Sequence, residues 1–98
     1  MSLLAICSFD LKNANSEDYK NAYADLEELG LTRFQKSDKG YVTAIPTTSA
    51  MGKFSGKNSA ELRDELRHRI RLAFAARRFE SRIFVVVGDK WAWAVEST

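Results

Sequence analysis

A run of apolar residues near the start of the chain, "LLAICSF" at residues 3–9, most constrains the fold. The run contains neither glycine nor proline, and it is too short for a helix to be the better interpretation. Its apolar residues occupy both odd and even positions, whereas a strand buried on one face alternates apolar with polar residues. We therefore predict a central strand whose two faces are both covered.

Two segments repeat apolar residues every three or four positions, which is typical of amphipathic helices. The first has Ser16 as its N-cap candidate and ends at Gly30, a residue suited to the left-handed backbone that follows a helix. The second begins at Asn58, with Glu61 at the spacing of a capping box. The stripes consist of Tyr19, Ala22, Tyr23, Leu26 and Leu29 in the first helix, and Leu62, Leu66, Ile70 and Phe74 in the second.

The remaining segments predict four more strands and one long loop. "LTRFQKS" and "YVTAIP" flank the turn cluster Asp38-Lys39-Gly40 and predict a hairpin. "RIFVVVGDKWAWAV" predicts two further strands around a Gly88-Asp89 turn. Residues 47–58, rich in Ser, Thr, Gly and Lys, predict a loop with room for a short strand extension.

This order of elements, β-α-β-β-α-β-β, predicts a single α+β domain over residues 1–98. Its first six elements match the ferredoxin-like βαββαβ arrangement, an antiparallel sheet with two helices on one face, and an additional C-terminal strand follows. The other face of such a sheet has no helical cover. Because the first strand is apolar on both faces, we expect that face to meet a second copy in a symmetric homodimer.

Composition narrows the class of protein. The chain has 98 residues, of which 45% are apolar and 29% charged, as in an ordinary globular domain. No run approaches the roughly 20 apolar residues of a membrane-spanning helix, so we expect no membrane partner. Cys7 is the one cysteine, which excludes an intrachain disulfide and predicts a cytoplasmic protein. We interpret Cys7 as a core residue, since reactive thiols need accessible, electropositive surroundings.

The second helix carries a stripe of arginines, although the net charge of +2 is too small to indicate nucleic-acid binding by itself. On a helical wheel the stripe spans roughly 80°. It consists of Arg63, Arg67, Arg71 and Arg78. One interpretation is that these side chains bind phosphates along a nucleic-acid backbone. The other is a solvated face in which Asp64 pairs with Arg67 and Glu65 pairs with Arg69.

Two further features have both a functional and a plain interpretation. Lys53 and Lys57 lie in "GKFSGK", which lacks the Walker spacing but would suit a flexible basic lip over a nucleic acid. An ordinary soluble loop has the same composition. Trp91 and Trp93 share one strand face and would stack unpaired bases if exposed. In a domain this small they are more typical of a core or a dimer interface, and we favour the interface.

Several segments resemble the VapD toxins and the related endoribonuclease-like subunit of CRISPR adaptation complexes. The resemblance rests on "SFDL", which closes the first strand, and on "YKNAYADLEELGLTRFQKS". The matching positions are Phe9-Asp10-Leu11, then Tyr19, Ala22, Tyr23 and Asp25, and finally Gln35 and Ser37. The C-terminal half resembles the short bacterial SinR-like proteins more than VapD.

This resemblance implies a dimer of ferredoxin-like subunits in which the two copies of Asp10 face each other across a cleft. They would hold a divalent metal, Mg²⁺, for cleavage of RNA, and Ser8 on the same face would steady a water on the metal. The chain departs from VapD in the 47–58 segment and in its longer, arginine-bearing second helix. Without the resemblance, Asp10 is an ordinary strand-ending aspartate, and the chain is a non-catalytic dimeric module that binds a protein or nucleic-acid partner.

Overall fold

The longest strand, β1, runs through the centre of the main sheet. The structure is a computed structural model that describes residues 2–98. Its strands are Ser2–Leu11 (β1), Phe34–Lys36 (β2), Val42–Ala44 (β3), Ser49–Ser55 (β4) and Ser81–Gly88 (β5). Its helices are Ser16–Glu28 (α1) and Ser59–Ala76 (α2). The α+β fold class predicted from the sequence is confirmed.

The main sheet has the strand order β4-β1-β5, and β1 is antiparallel to both neighbours. β4 and β5 are therefore parallel to each other, and α2 crosses the sheet to connect them. The hairpin β2–β3 forms as its turn cluster predicts, but it is a separate two-stranded sheet, whereas the predicted arrangement placed its strands in the main sheet. An isolated bridge from Thr32 to Met51 places the chain before β2 along the outer edge of β4. This arrangement is compatible with a small ferredoxin-like fold.

The main core lies between this sheet and the two helices. The odd-numbered residues of β1, including Cys7 and Phe9, point into it and are buried. The predicted stripe of α2 is buried from Leu62 to Phe74. The Phe9 ring packs edge-on against Tyr23 and Phe74, with ring centres 5.5 and 5.6 Å apart. Sequence periodicity therefore identified the core faces of both helices correctly.

The other face of the sheet, here called the open face, has no helix on it. Even-numbered residues of β1 and β5 point to this side, since they alternate with the core residues. One part is covered by a second apolar cluster of Leu4, Ile45 and Met51. The rest leaves Phe84 63% and Val86 45% exposed. The open face is thus half covered by the chain itself.

Residues 47–58, predicted as a loop, contain the seven-residue strand β4, which pairs with β1 along its whole length. The prediction of a loop was wrong because the glycine and the polar residues of this segment fit the positions that they occupy in a strand. Gly52 is buried where the carbonyl oxygen of Gly30 comes so close that a Cβ would overlap it. Lys53 and Ser55 face outward and are exposed. In this strand the glycine allows the close approach of the Gly30 backbone, and the lysine occupies an exposed position.

The additional C-terminal strand predicted at residues 91–95 is not formed, and that part of the prediction was wrong. Residues 91–98 have no regular secondary structure. Trp91 and Trp93 instead pack half-buried against the second apolar cluster of the same chain. The alternation of large and small residues here therefore accompanies packing of the two tryptophans against that cluster and not the pairing of a strand.

Local signals at the helix ends were mostly correct. The N-cap of α1 is Asn15, one residue before the predicted Ser16, because its side chain accepts a 2.9 Å hydrogen bond from the Asp18 N–H. The Asp18 carboxylate accepts in return from the Asn15 N–H at 3.1 Å. Gly30 adopts φ +90° and Asn58 caps α2, both as predicted. Neither helix within residues 2–98 is long and apolar enough to cross a membrane.

Candidate functional site at the end of the first strand

Asp10 is exposed on the open face at the carboxyl end of β1. Ser8 lies two residues earlier on the same face, half-buried, between Ser49 of β4 and Phe84 of β5. Two residues of strand correspond to about 7 Å. The structure therefore places the two predicted catalytic residues, Asp10 and Ser8, in adjacent positions on one face.

Four charged residues line a shallow depression of about 560 Å³ at this end of the sheet. They are Asp10, Lys12, Glu80 and Arg82, here called the charge quartet. The Lys12 Nζ lies 3.7 Å from the Glu80 carboxylate, and the Lys12 backbone N–H donates to the Glu80 carbonyl at 2.9 Å. The backbone of Asp10 pairs with Arg82 in the sheet, but its side chain makes no hydrogen bond or ion pair within residues 2–98, so the carboxylate is available to a ligand.

Glu80 and Arg82 were not among the residues predicted for this site. They reach Asp10 through the antiparallel pairing of β1 with the start of β5, which sets Arg82 directly opposite Asp10. Sequence patterns predicted both strands without their register. Only a prediction of the register would have identified these two residues.

Carboxylate oxygens are suitable ligands for Mg²⁺, which prefers hard oxygen donors in octahedral geometry. Within the described residues there is no group of three or more His, Cys, Asp or Glu side chains that would hold a metal ion. The charge quartet has two carboxylates, and that of Glu80 is paired with Lys12. One chain therefore offers a partial ligand set, and the residues fit Mg²⁺ only if a second copy contributes its own Asp10.

The arginines of α2 are exposed but differ in their partners. Arg63 and Arg67 both contact the Asp64 carboxylate, at 3.0 and 3.5 Å. The hydrogen bond with Asp64 raises the pKa of Arg63, and the same contact lowers the pKa of Asp64. Arg71 makes no ion pair within residues 2–98. Arg78 lies beyond the end of α2 with φ +63°, so it does not belong to the predicted helical stripe.

Arg67 and Arg71 are nevertheless close to the Asp10 end of the sheet. Both line a second depression together with Ser81 and Ile83 of β5. Ser81 also lines the depression that contains Asp10. The basic face of α2 is therefore continuous, over the start of β5, with the charge quartet.

Lys53 and Lys57 do not form the predicted basic lip. Lys53 lies on β4 opposite Leu4, about 20 Å along β1 from Asp10, and its Nζ is 5.9 Å from the centre of a Trp91 ring. Lys57 lies beyond the end of β4, where its Nζ is 3.2 Å from the Glu65 carboxylate. The two lysines therefore have separate surroundings, both remote from the charge quartet.

Cys7 is a core residue, as predicted. Its side chain is fully buried beneath the helices. Burial raises the pKa of the Cys7 thiol to about 12, because the interior disfavours the charged thiolate. The thiol is therefore excluded as a nucleophile in the folded protein.

No protein-family model matches the sequence, and no curated protein shows significant similarity to it. The resemblance to the VapD and CRISPR-adaptation superfamily accordingly rests on the quoted motifs.

Proposed function

We propose that this chain is a metal-dependent endoribonuclease that acts on RNA as a symmetric homodimer. The observation that carries the proposal is the position of Asp10, an exposed carboxylate at the end of the central strand. Asp10 is the one acidic side chain that β1, β4 and β5 present on the open face. It has no partner within residues 2–98 that would neutralise it by direct contact.

The exposed apolar residues beside Asp10 support pairing of two copies through the open face. Phe84 lies opposite Ser8, and Val86 lies opposite Ile6. Burying two such side chains is favourable by about 1.5–3 kcal/mol each when burial is complete. A two-fold axis that passes beside Asp10 would bring both copies of its carboxylate together, and Ser8 would then lie about 7 Å from that axis along its strand.

In such a dimer the two Asp10 carboxylates would hold Mg²⁺, which supplies charge neutralisation at the phosphate that is cleaved. The Ser8 hydroxyl would orient a water by a hydrogen bond. Arg82 would contact the phosphate oxygens next to the bond that breaks. Arg67 and Arg71, across the start of β5, would hold the RNA backbone further along.

Cleavage of single-stranded RNA in the presence of Mg²⁺ tests this proposal. We expect cleavage that EDTA abolishes and that Asp10→Asn reduces by at least about 100-fold, the scale for loss of an electrostatic catalytic group. Asn keeps the size of the side chain and removes its charge. Glu17→Gln is the matched control, because Glu17 is an exposed carboxylate at the start of α1, on the helical side of the sheet. Cleavage that persists undiminished in Asp10→Asn would overturn the assignment.

The charge quartet favours a second candidate, a non-catalytic dimeric module that binds a protein or nucleic-acid partner. Two cations and two anions lie together there, so a single chain balances Asp10 without a metal. This candidate predicts no RNA cleavage with any divalent cation, and partner binding unchanged in Asp10→Asn. Titration of binding against salt identifies the partner, since contacts with phosphates weaken steeply as salt rises.

A further inference from the structure

A second cavity, here called the aromatic cleft, lies outside the charge quartet. It measures about 730 Å³ and lies between α1 and the segments that lead into β2 and β4. Its principal lining residues are Tyr19, Tyr23, Arg33, Phe34 and Thr48, with Lys20 at one side. Three of these six side chains are aromatic and two are cationic, and none of the six lines the depression that contains Asp10.

Arg33 is the unusual residue of the aromatic cleft. Its guanidinium carbon lies 4.8 Å from the ring centre of Tyr23 and 5.4 Å from that of Phe34, so the cation is held by two aromatic rings. Its Nε is buried and has no hydrogen-bond partner. Arg33 also makes no ion pair within residues 2–98. No acceptor within residues 2–98 therefore satisfies this nitrogen or neutralises the cation, and an anionic ligand that reached the terminal guanidinium nitrogens would supply the missing negative charge.

The inner wall of the aromatic cleft is held by hydrogen bonds to the backbone. The Tyr23 hydroxyl accepts a hydrogen bond from the Thr48 N–H, and the Tyr19 hydroxyl donates to the Leu11 carbonyl at 3.2 Å. Both tyrosine rings also pack against Phe9. The outer wall is different, because Phe34 is 56% exposed. The cleft thus offers a fixed inner wall and an outer aromatic ring accessible to a ligand.

We infer that the aromatic cleft binds a nucleotide unit, meaning an aromatic base that carries a phosphate. Phe34 would stack on the base, as exposed aromatic rings do in proteins that bind single strands. Arg33 would bind the phosphate with a charge-assisted hydrogen bond, and Lys20 would add a second positive charge. Glu27, at the edge of the cleft, would accept from an amino group of the base.

The cleft is joined to the Asp10 site through the backbone of β1. Tyr19 bonds to the carbonyl of Leu11, the residue after Asp10. The Thr48 carbonyl accepts from the N–H of Phe9, the residue before Asp10, at 3.0 Å. Asp10 points to the opposite, open face, so an RNA strand with one nucleotide in the cleft would cross the end of β1 to reach its carboxylate. This last step rests on the proposed nuclease function, whereas nucleotide binding itself does not.

Calorimetric titration with adenosine 5′-monophosphate (AMP), adenosine and inorganic phosphate tests the inference. We expect AMP to bind at least about tenfold more tightly than either fragment, because only AMP uses both the ring and the cation. Arg33→Met and Phe34→Ala should each weaken AMP binding by about tenfold or more. Phe34→Ala removes a mostly exposed ring, so this variant keeps the fold. Lys39→Met, an exposed lysine in the β2–β3 turn, is the matched control for charge.

A five-nucleotide oligoadenylate, titrated in parallel, distinguishes an RNA strand from a free nucleotide as the source of the ligand. Tighter binding of the oligonucleotide identifies the strand, and equal binding identifies the mononucleotide. All titrations are repeated in Asp10→Asn, where AMP should bind as in the unmodified protein. AMP binding without RNA cleavage would remove the nuclease proposal and leave the cleft. Absence of AMP binding, or binding unaffected by both Arg33→Met and Phe34→Ala, would overturn the inference.

Discussion

Asp10 and Arg82 lie directly opposite each other on two antiparallel strands, and both side chains point to the open face of the sheet. Such cross-strand pairs of opposite charge stabilise a sheet by about 0.2–1 kcal/mol. The same arrangement sets a fixed positive charge beside the one carboxylate that would bind a metal. Arg82 therefore opposes a metal at Asp10 in the free protein and attracts a phosphate in a complex.

Replacing Arg82 with glutamine should tighten the binding of a divalent cation at Asp10. Removal of a neighbouring positive charge favours the cation because the electrostatic repulsion between them is lost. We expect the midpoint of Mn²⁺-induced broadening of the Asp10 amide signal, in the absence of RNA, to fall by about two- to tenfold. Lys39→Gln, remote from the quartet, should leave the midpoint unchanged. An unchanged midpoint in Arg82→Gln would show that Asp10 does not bind the metal.

Gly52 is the position at which β4 is least tolerant of a side chain. A Cβ there would overlap the Gly30 carbonyl oxygen and press on the Phe54 ring. We expect Gly52→Ala to lower the free energy of unfolding by at least about 2 kcal/mol, because the backbone of Gly30 would have to move. Gly88→Ala is the matched control in β5, where an added Cβ meets nothing within 4 Å. Urea denaturation should place that variant within about 0.5 kcal/mol of the unmodified protein.

Gly52 also shows why part of the fold was predictable and part was not. Both helices and their buried stripes follow from the periodicity of side chains, β1 from its unbroken apolar run, and the hairpin from its turn cluster. β4 instead depends on a close approach between Gly52 and Gly30, two residues brought together by the fold. Its glycines and lysines are typical of loops when they are considered alone. The tertiary contact therefore outweighs the local preference.

The candidate site likewise contains some residues that the sequence predicted and others that it did not. The roles of Asp10 and Ser8 were expected from the resemblance carried by "SFDL", and the strand that positions them was predicted from its apolar run. Glu80 and Arg82 could not be predicted, because their proximity depends on the register between β1 and β5. Arg33 was missed for a similar reason, since its two aromatic neighbours come from α1 and from β2. Contacts between residues that are distant in the sequence depend on tertiary packing, so a short sequence motif does not predict them.

The buried thiol of Cys7 makes stability depend on pH in the alkaline range. Its pKa is about 12 in the folded protein, against an ordinary value near 9.0. Above pH 9 the unfolded chain loses this proton while the folded chain keeps it. The contribution of the buried, neutral thiol to the free energy of unfolding is therefore fully present below pH 9 and is lost as pH rises from 9 towards 12. Each pH unit in that range should cost about 1.4 kcal/mol of unfolding free energy.

The Cys7→Ala variant isolates this effect from other groups that titrate at alkaline pH. Urea unfolding of both proteins, with a reductant present, gives their difference in stability at each pH. We expect the unmodified protein to be the more stable at pH 7, because alanine leaves a small cavity. That advantage should shrink by about 1.4 kcal/mol between pH 8 and pH 10. A difference that stays constant over this range would show that the thiol titrates normally in the folded state.

The exposed apolar residues of the open face should determine whether two copies pair. Phe84 and Val86 belong to the uncovered part of that face and contribute little to the core of one chain. Changing both to serine should convert a dimer into a monomer in light-scattering measurements, while circular dichroism and the urea midpoint stay close to those of the unmodified protein. Leu72→Ser is the matched control, since Leu72 is 51% exposed on α2, away from the open face, and its loss should leave the dimer intact. Two results would contradict this prediction: an unmodified protein that is a monomer at all concentrations, or a dimer that Leu72→Ser alone dissociates. In either case the two copies of Asp10 do not meet through this face and cannot share a metal ion there.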